Sequence, residues 1–259
     1  MSRATPTIAL LAVAAVLGGC GKQGGAGAST HQPSASNSHT SRAQARAYIG
    51  AVNLTAADVP GFVVSNSGQK TESPAEKRLK RKLEDCVHPV SSAPVAEASS
   101  PEFARELGLL RESVQSEVTV TQSAKAAIRE LALIRSERAR ACVLHYFELL
   151  VKAQQTPGSS FGHVSLVQRT PPAPGADGSF AWRISVAITV RRVTVPLYFD
   201  VFGFVVGANE VSLFASGLPL PFPPEEEAKL YSLLLERAKT PAPGPRKKHP
   251  AQTPKLVTS

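Results

Sequence analysis

The side chains best equipped for chemistry in this sequence are two cysteines with histidines close by, one carboxylate inside an apolar run, and a serine near a histidine. Cys86 is followed by His88, and Cys142 by His145. Two thiols and two imidazoles are a set that zinc takes in tetrahedral form, although these spacings do not follow the usual finger pattern. The simpler fate of two such cysteines is a disulfide. Ser159-Ser160-Phe161-Gly162-His163 puts a serine near a histidine, but nearness in sequence is not geometry, and the stretch reads as a loop. A catalytic site needs a nucleophile, an oriented base and an oxyanion donor, or converging metal ligands. The sequence has no His-Glu-x-x-His and no phosphate loop, and Gly158-Ser159-Ser160-Phe161-Gly162 matches Gly-x-Ser-x-Gly only in spacing, because a strand and not a helix is read after it. Gly203-Phe204-Val205-Val206-Gly207 matches a small-residue helix motif only in form, because its surroundings read as strand. Glu225-Glu226-Glu227 suits a helix start better than a cation site. The expectation is a protein that is not an enzyme and uses no metal or cofactor.

Asp200 is the most informative single residue. It sits in Tyr198-Phe199-Asp200-Val201-Phe202, where a carboxylate needs a partner or a wet cavity. Arg183, Arg191 and Arg192 are the candidate partners. One reading is a satisfied carboxylate on a sheet; the other is a polar anchor in a ligand cleft, with Trp182 and Tyr198 as companion binding residues.

The N-terminus addresses location. Arg3 precedes an apolar run over residues 8–17, and Gly18-Gly19-Cys20 follows. A charged start, a short apolar core and small residues before a cleavage point make a secretory signal, predicted over residues 1–19. The run is shorter than the about 20 apolar residues that span a bilayer. Leu17-Gly18-Gly19-Cys20 resembles the bacterial lipobox, whose cysteine carries a diacylglyceryl group. The resemblance implies lipidation at Cys20, a membrane partner held through acyl chains, and a place on the extracytoplasmic face of the cell membrane. Outside the cytoplasm, Cys86 and Cys142 most simply pair, stapling the first main helix to the third.

The elements that would position these residues are legible from periodicity. Gln44 to Val52 reads as a short helix, Val63-Val64 as a short strand after the Pro60-Gly61 turn, and Ser73 to Cys86 as a helix opened by Pro74. Leu109 to Thr121 alternates as a strand, with Val114, Ser116, Val118 and Val120 on one side. Helices follow from Ser123, with Ala124, Ala127, Ile128 and Leu131 on one face, and from Ser136, with Ala139, Cys142, Val143, Tyr146, Phe147 and Leu150 inward. Strands are expected over Gly162 to Arg169, Ser179 to Val190, Val193 to Val206 and Glu210 to Ala215. Both faces of the third are apolar, which predicts a central strand. A last helix runs from Pro223 to Lys239. Short turns force antiparallel pairing, so the predicted fold class is α+β, an antiparallel sheet with helices packed on it, rather than a doubly wound nucleotide-binding fold.

Residues 20–42 read as lipidated cysteine and tether, 43–240 as one domain, and 241–259 as a basic, proline-rich tail. The net charge of +9 invites a nucleic-acid partner. Export argues against that, and no aromatic residues interleave with the basic runs. Lys77-Arg78-Leu79-Lys80-Arg81-Lys82 lies on a helix whose stripe Leu79, Leu83 and Cys86 faces inward, which leaves its charges as a solvated face or as a surface for anionic head groups or wall polymers.

The order of these features is similar to that of secreted lipoproteins and PknH-like extracellular sensor domains of high-GC Gram-positive bacteria. The residues that carry the resemblance are 54–62, the helix with Cys86, Val114-Gln115-Ser116-Glu117-Val118, Arg138-Ala139-Arg140-Ala141-Cys142 and the late apolar strand pair. It implies a PsbP-like α/β sandwich, a disulfide beside a cleft, and a binding role. The sequence has neither a kinase domain nor a transmembrane helix, so direct signalling across the membrane does not follow. The functional expectation is a lipid-anchored envelope protein that takes a small amphiphilic ligand or an envelope protein; a structural lipoprotein that holds anionic wall polymers through its basic surface is the alternative.

Overall fold

The structure is a computed structural model that describes residues 41–65, 74–87, 93–153, 159–190 and 192–240. Cys20, the signal, most of the tether, the basic tail, His88 and Arg191 lie outside the described residues. Helix α1 (Arg42–Val52) starts one residue before the expected domain boundary, because Ser41 and Gln44 cap it reciprocally: Gln44 N–H donates to Ser41 Oγ, and Ser41 N–H to Gln44 Oε1. Ala45, Tyr48, Ile49 and Val52 form its buried stripe. A 3-10 turn at Ala56–Asp58 and strand β1 (Val63–Val64) follow, then α2 (Pro74–Val87), β2 (Ala96–Ser99), β3 (Phe103–Leu107) and β4 (Leu110–Val120). Helices α3 (Ala124–Ile134) and α4 (Glu137–Ala153) lead to β5 (Ser159–Arg169), β6 (Gly178–Val190), β7 (Val193–Val206) and β8 (Asn209–Leu218), and α5 (Pro224–Lys239) closes the domain.

The strands form one antiparallel sheet in the order β1-β3-β4-β8-β7-β6-β5. Strand β8 takes the full length of one edge of β4, so β2 and β3 share the other in tandem. Pro101, which has no N–H to give, sits at the break between them. Neither β2 nor β3 was expected: Ala-Glu-Ala-Ser and Phe-Ala-Arg-Glu-Leu lack the β-branched alternation that marks strands. The stretch read as a loop at Ser159–His163 is instead the start of β5, where the register with β6 shifts between Phe161 and Val164.

Helices cover both faces of the sheet. On one face α1 and α5 pack on Phe103, Val114, Val118, Val120, Phe204, Val211, Leu213 and Ala215. On the other, α2, α3 and α4 pack on Val164, Leu166, Phe180, Trp182, Ile184, Val186, Val201 and Val205. Strand β7 contributes to both clusters and lies inside the sheet, as its two apolar faces predicted. The fold is therefore α+β, a three-layer sandwich. Coverage is staggered: α1 and α5 leave their face open over β5 and β6, while α2 to α4 leave theirs thinly covered over β2, β4 and β8. Among the described residues no helix is long and apolar enough to cross a membrane.

Two glycines shape these layers. A Cβ at Gly203 would run into the Phe180 ring opposite it, and one at Gly217 would run into the backbone of Leu220 to Phe222. The second contact lets the loop before α5 fold back over β8. Across the α5 face, Tyr48 Oη donates to Ala238 O at 2.9 Å, and Arg237 clamps Asp58 through two hydrogen bonds of 2.9 and 2.7 Å.

Candidate functional site

Cys86 and Cys142 form a disulfide between α2 and α4 with their Cα atoms 5.9 Å apart. Leu79, Leu83, Cys86 and Val87 on α2 pack into the cluster that α4 fills with Ala139, Cys142, Val143, Tyr146 and Phe147. Arg138 Nε donates to Cys86 O at 2.9 Å and so occupies a carbonyl at the end of α2. Bonded sulfurs leave no thiolates for zinc, and His145 points outward beside Glu148, 3.8 Å away. Among the described residues no group of three or more histidine, cysteine or carboxylate side chains is placed to hold a metal.

Asp200 is buried and lies across from Arg183 in the β6–β7 register. Arg183 Nε donates to Oδ1 at 2.6 Å and Nη2 to Oδ2 at 3.0 Å, a bidentate pair. Burial raises the Asp200 carboxyl above its ordinary range, and the guanidinium opposes the rise. Glu227, in the first turn of α5, brings Oε2 to 3.9 Å from Arg183. That oxygen is buried without a hydrogen-bond partner, and burial, reinforced by the Asp200 charge, pushes Glu227 up to about 7. Beside them Arg105 bonds Glu112 at 2.8 Å and Glu226 at 3.2 Å, with its guanidinium 4.3 Å from the Phe62 ring centre.

Of the three residues expected to line a ligand cleft, the structure brings two together. Tyr198 lies two positions before Asp200 on the same face, opposite Ser185 and Gly217. Trp182 projects from the other face, packed against Phe180 in the α2–α4 cluster and 2% exposed. Its partner in the ladder is Val201, and successive strand residues point to opposite faces, so it cannot share a site with Asp200. The partner that Asp200 needed is Arg183 alone of the three candidates: Arg192 occupies the turn with φ 72°, and Arg191 lies outside the described residues. Beyond Tyr198 the exposed face carries hydroxyl pairs, Ser165 with Ser185 and Thr189 with Thr194.

A cleft of about 430 Å³ opens elsewhere, where the end of α1 meets the outer edge of β2. Ile49, Gly50, Leu54, Ala98 and Pro101 supply apolar lining and Arg46 a charge, whereas Glu97 and Ser99 at the rim turn their side chains to the other face, Ser99 Oγ donating to Glu117 Oε2 at 3.0 Å. A buried network fixes its walls: Asn53 Nδ2 donates to Ala98 O at 2.9 Å, and Ser116 Oγ donates to Asn53 Oδ1 at 2.8 Å. Leu54 N–H in turn donates to Ser116 Oγ, and Ser116 N–H to Ser100 Oγ. Nothing lies within 4 Å of a Cβ built on Gly50, so the helix leaves space there. The volume falls in the range of small-molecule sites, and an apolar wall beside the Arg46 charge suits an amphiphile.

No protein-family model matches the chain, and no curated protein matches it.

The cleft residues were missed in the sequence because the site needs α1 and β2 side by side, and β2 carries no strand pattern. The one available signal was Asn53-Leu54 directly after a helix, a position where an amide commonly closes a helix end.

On the α2–α4 side, four carboxylates gather over β2, β4 and β8. Glu97, Glu117 and Glu210 share that face through the β2–β4–β8 register, and Glu130 of α3 stands beside Glu210, whose Oε1 is buried without a hydrogen-bond partner. Burial pushes Glu117 up to about 7, and burial with the charge of Glu130 pushes Glu210 up to about 9. Lys80 of α2 pulls Glu97 and Glu117 down, and Arg129 does the same for Glu130.

Proposed function

We propose that this protein is an exported, lipid-anchored binding domain of the cell envelope that performs no chemistry and takes a small amphiphilic molecule in the cleft between α1 and β2. The cleft carries the reading, because it joins apolar wall, the Arg46 charge and a hydrogen-bonded frame within a ligand-sized volume. The disulfide suits an oxidising compartment, and the lipobox-like residues ending in Cys20 supply the anchor on the extracytoplasmic face of the membrane. The short motifs similar to those of secreted lipoproteins and PknH-like sensor domains point the same way. The Asp200 pair is structural in this reading, since both carboxylate oxygens are taken by Arg183.

Gly50→Trp tests the binding role. The indole fills the cleft from a position with free space, so mass spectrometry of the purified protein should find an amphiphile on the parent chain and none on the variant, with the melting temperature kept. Equal retention by both would defeat the assignment of the cleft. The anchor is tested separately by metabolic labelling with an alkyne fatty acid, which should mark the parent protein and leave Cys20→Ser unlabelled.

A further inference from the structure

Helix α2 carries a second feature that the ligand cleft does not use. Lys77, Arg78, Arg81 and Lys82 are all exposed. At 100° per residue they fall within an arc of about 140°, opposite the inward stripe of Leu79, Leu83 and Cys86. Asp85 is the one exposed carboxylate within that arc. Among the described residues none of the four cations forms an ion pair, whereas Arg105, Arg183 and Arg237 are each tied to a carboxylate. Such an array within a helix does not stabilise the fold, because like charges three and four residues apart repel. The disulfide to α4 and the Arg138 bond to Cys86 O hold the helix, so the array is presented rigidly.

We propose that this stripe is a docking surface for an anionic lipid bilayer, laying the α2 side of the domain against the membrane. The assignment to a bilayer rests on the lipid anchor of the proposed function. A chain from Cys20 to α1 reaches at most about 80 Å when fully extended, so the domain stays tethered within that distance of the head groups. Phosphate-bearing head groups complement four unpaired cations, and the negative surface potential attracts them over a Debye length.

The experiment uses residues 20–259, which contain every described element, with Cys20→Ser so that no acyl chain contributes. Cosedimentation is measured with vesicles of phosphatidylglycerol and phosphatidylcholine, and with phosphatidylcholine alone. The chain should bind only the anionic vesicles and leave them as salt rises. Joint replacement K77Q/R78Q/R81Q/K82Q should weaken binding at least a hundredfold, at about fivefold per basic residue. The tail replacement R246Q/K247Q/K248Q should weaken it far less. Thermal melting of both variants checks the fold, and the salt titration of the parent chain reads the charge dependence without any substitution. Equal binding to neutral vesicles, loss only in the tail variant, or binding to an anionic wall polymer in place of vesicles would each overturn the proposal. Failure of fatty-acid labelling at Cys20 would remove the anchor and leave the vesicle result standing, so the two ideas fail separately.

Discussion

Two parts of the sheet bury carboxylates and treat them in opposite ways. On the α5 side, Asp200 and Glu112 each meet a guanidinium through the strand register, Arg183 at 2.6 Å and Arg105 at 2.8 Å. On the α2–α4 side, Glu97, Glu117, Glu130 and Glu210 crowd together with only Lys80 and Arg129 to offset them. A planar guanidinium bonded through two nitrogens can neutralise a buried carboxylate, whereas a lysine at longer range cannot. The first region therefore depends on its cations, apart from Glu227 at its edge, which burial and the Asp200 charge push up to about 7. The second depends on protons.

The largest expected effect breaks the first region. Arg183→Ala leaves Asp200 buried without its partner and should cost about 3–5 kcal/mol in denaturant unfolding. Asp200→Asn should cost clearly less, because Arg183 is partly exposed and can turn to water. Equal losses from both variants would mean that the pair matters through packing and not through charge.

Next comes the disulfide, which holds α2, and with it Lys80, beside the second region. Replacing Cys86 and Cys142 together by alanine should lose about 2–4 kcal/mol. If Lys80 matters to the carboxylates, the loss should be larger at pH 8 than at pH 5.

The third prediction concerns protons directly. Glutamate begins near 4.5 in the unfolded chain, and the fold raises Glu117 and Glu227 to about 7 and Glu210 to about 9. The folded state then binds more protons than the unfolded state between those limits, so stability falls as pH rises. The contribution is complete below about 4.5 and is lost through pH 7 to 9. Asp58 works the other way. Burial would raise it, but the Arg237 and Thr55 hydrogen bonds bring it below its ordinary value, and its contribution fades in acid. Unfolding measured from pH 4 to 9 should show a maximum on the acidic side of neutrality. Glu210→Gln mimics the protonated form and removes the charge that faces Glu130. It should stabilise the protein by on the order of 1 kcal/mol at pH 8 and flatten the alkaline limb. A steeper limb in the variant would refute the assignment of that limb to the Glu210 proton.

The pairing of Asp200 was within reach of the sequence. Strands ending at Val190 and restarting at Val193 leave a two-residue turn, and counting seven positions from each side puts Arg183 opposite Asp200. The same count puts Trp182 opposite Val201 on the other face, which the choice of Trp182 as a companion of Asp200 overlooked. Strong periodicity made α4, β4, β6 and β7 legible, because alternation or a 3.6-residue stripe records which side is buried. Edge strands β2 and β3 left no such record: Glu97, Ala98 and Ser99 are exposed, and β2 is held by backbone ladder bonds and Asn53. The cleft and the carboxylate cluster both involve β2, so both were hidden with it. Clusters of this kind depend on three or four strands in register and are not written in any one segment.

The smallest effect sharpens the comparison most. Lys80 lowers both Glu97 and Glu117, so Lys80→Gln should leave those carboxyls still more inclined to hold protons. Lys80 is only partly buried and solvent screens it, so the loss at pH 8 should be about 0.5 kcal/mol. At pH 5 the buried Glu117 is already protonated and the loss should shrink. At about 1 M salt, where the Debye length is about 3 Å, it should shrink at pH 8 as well. The Arg183 pair, bonded directly to a buried Asp200, should keep most of its effect under the same salt. A Lys80→Gln loss that is constant across pH and salt would show that the lysine acts through its methylene stem. The two regions would then differ in how well they pack and not in how they neutralise charge.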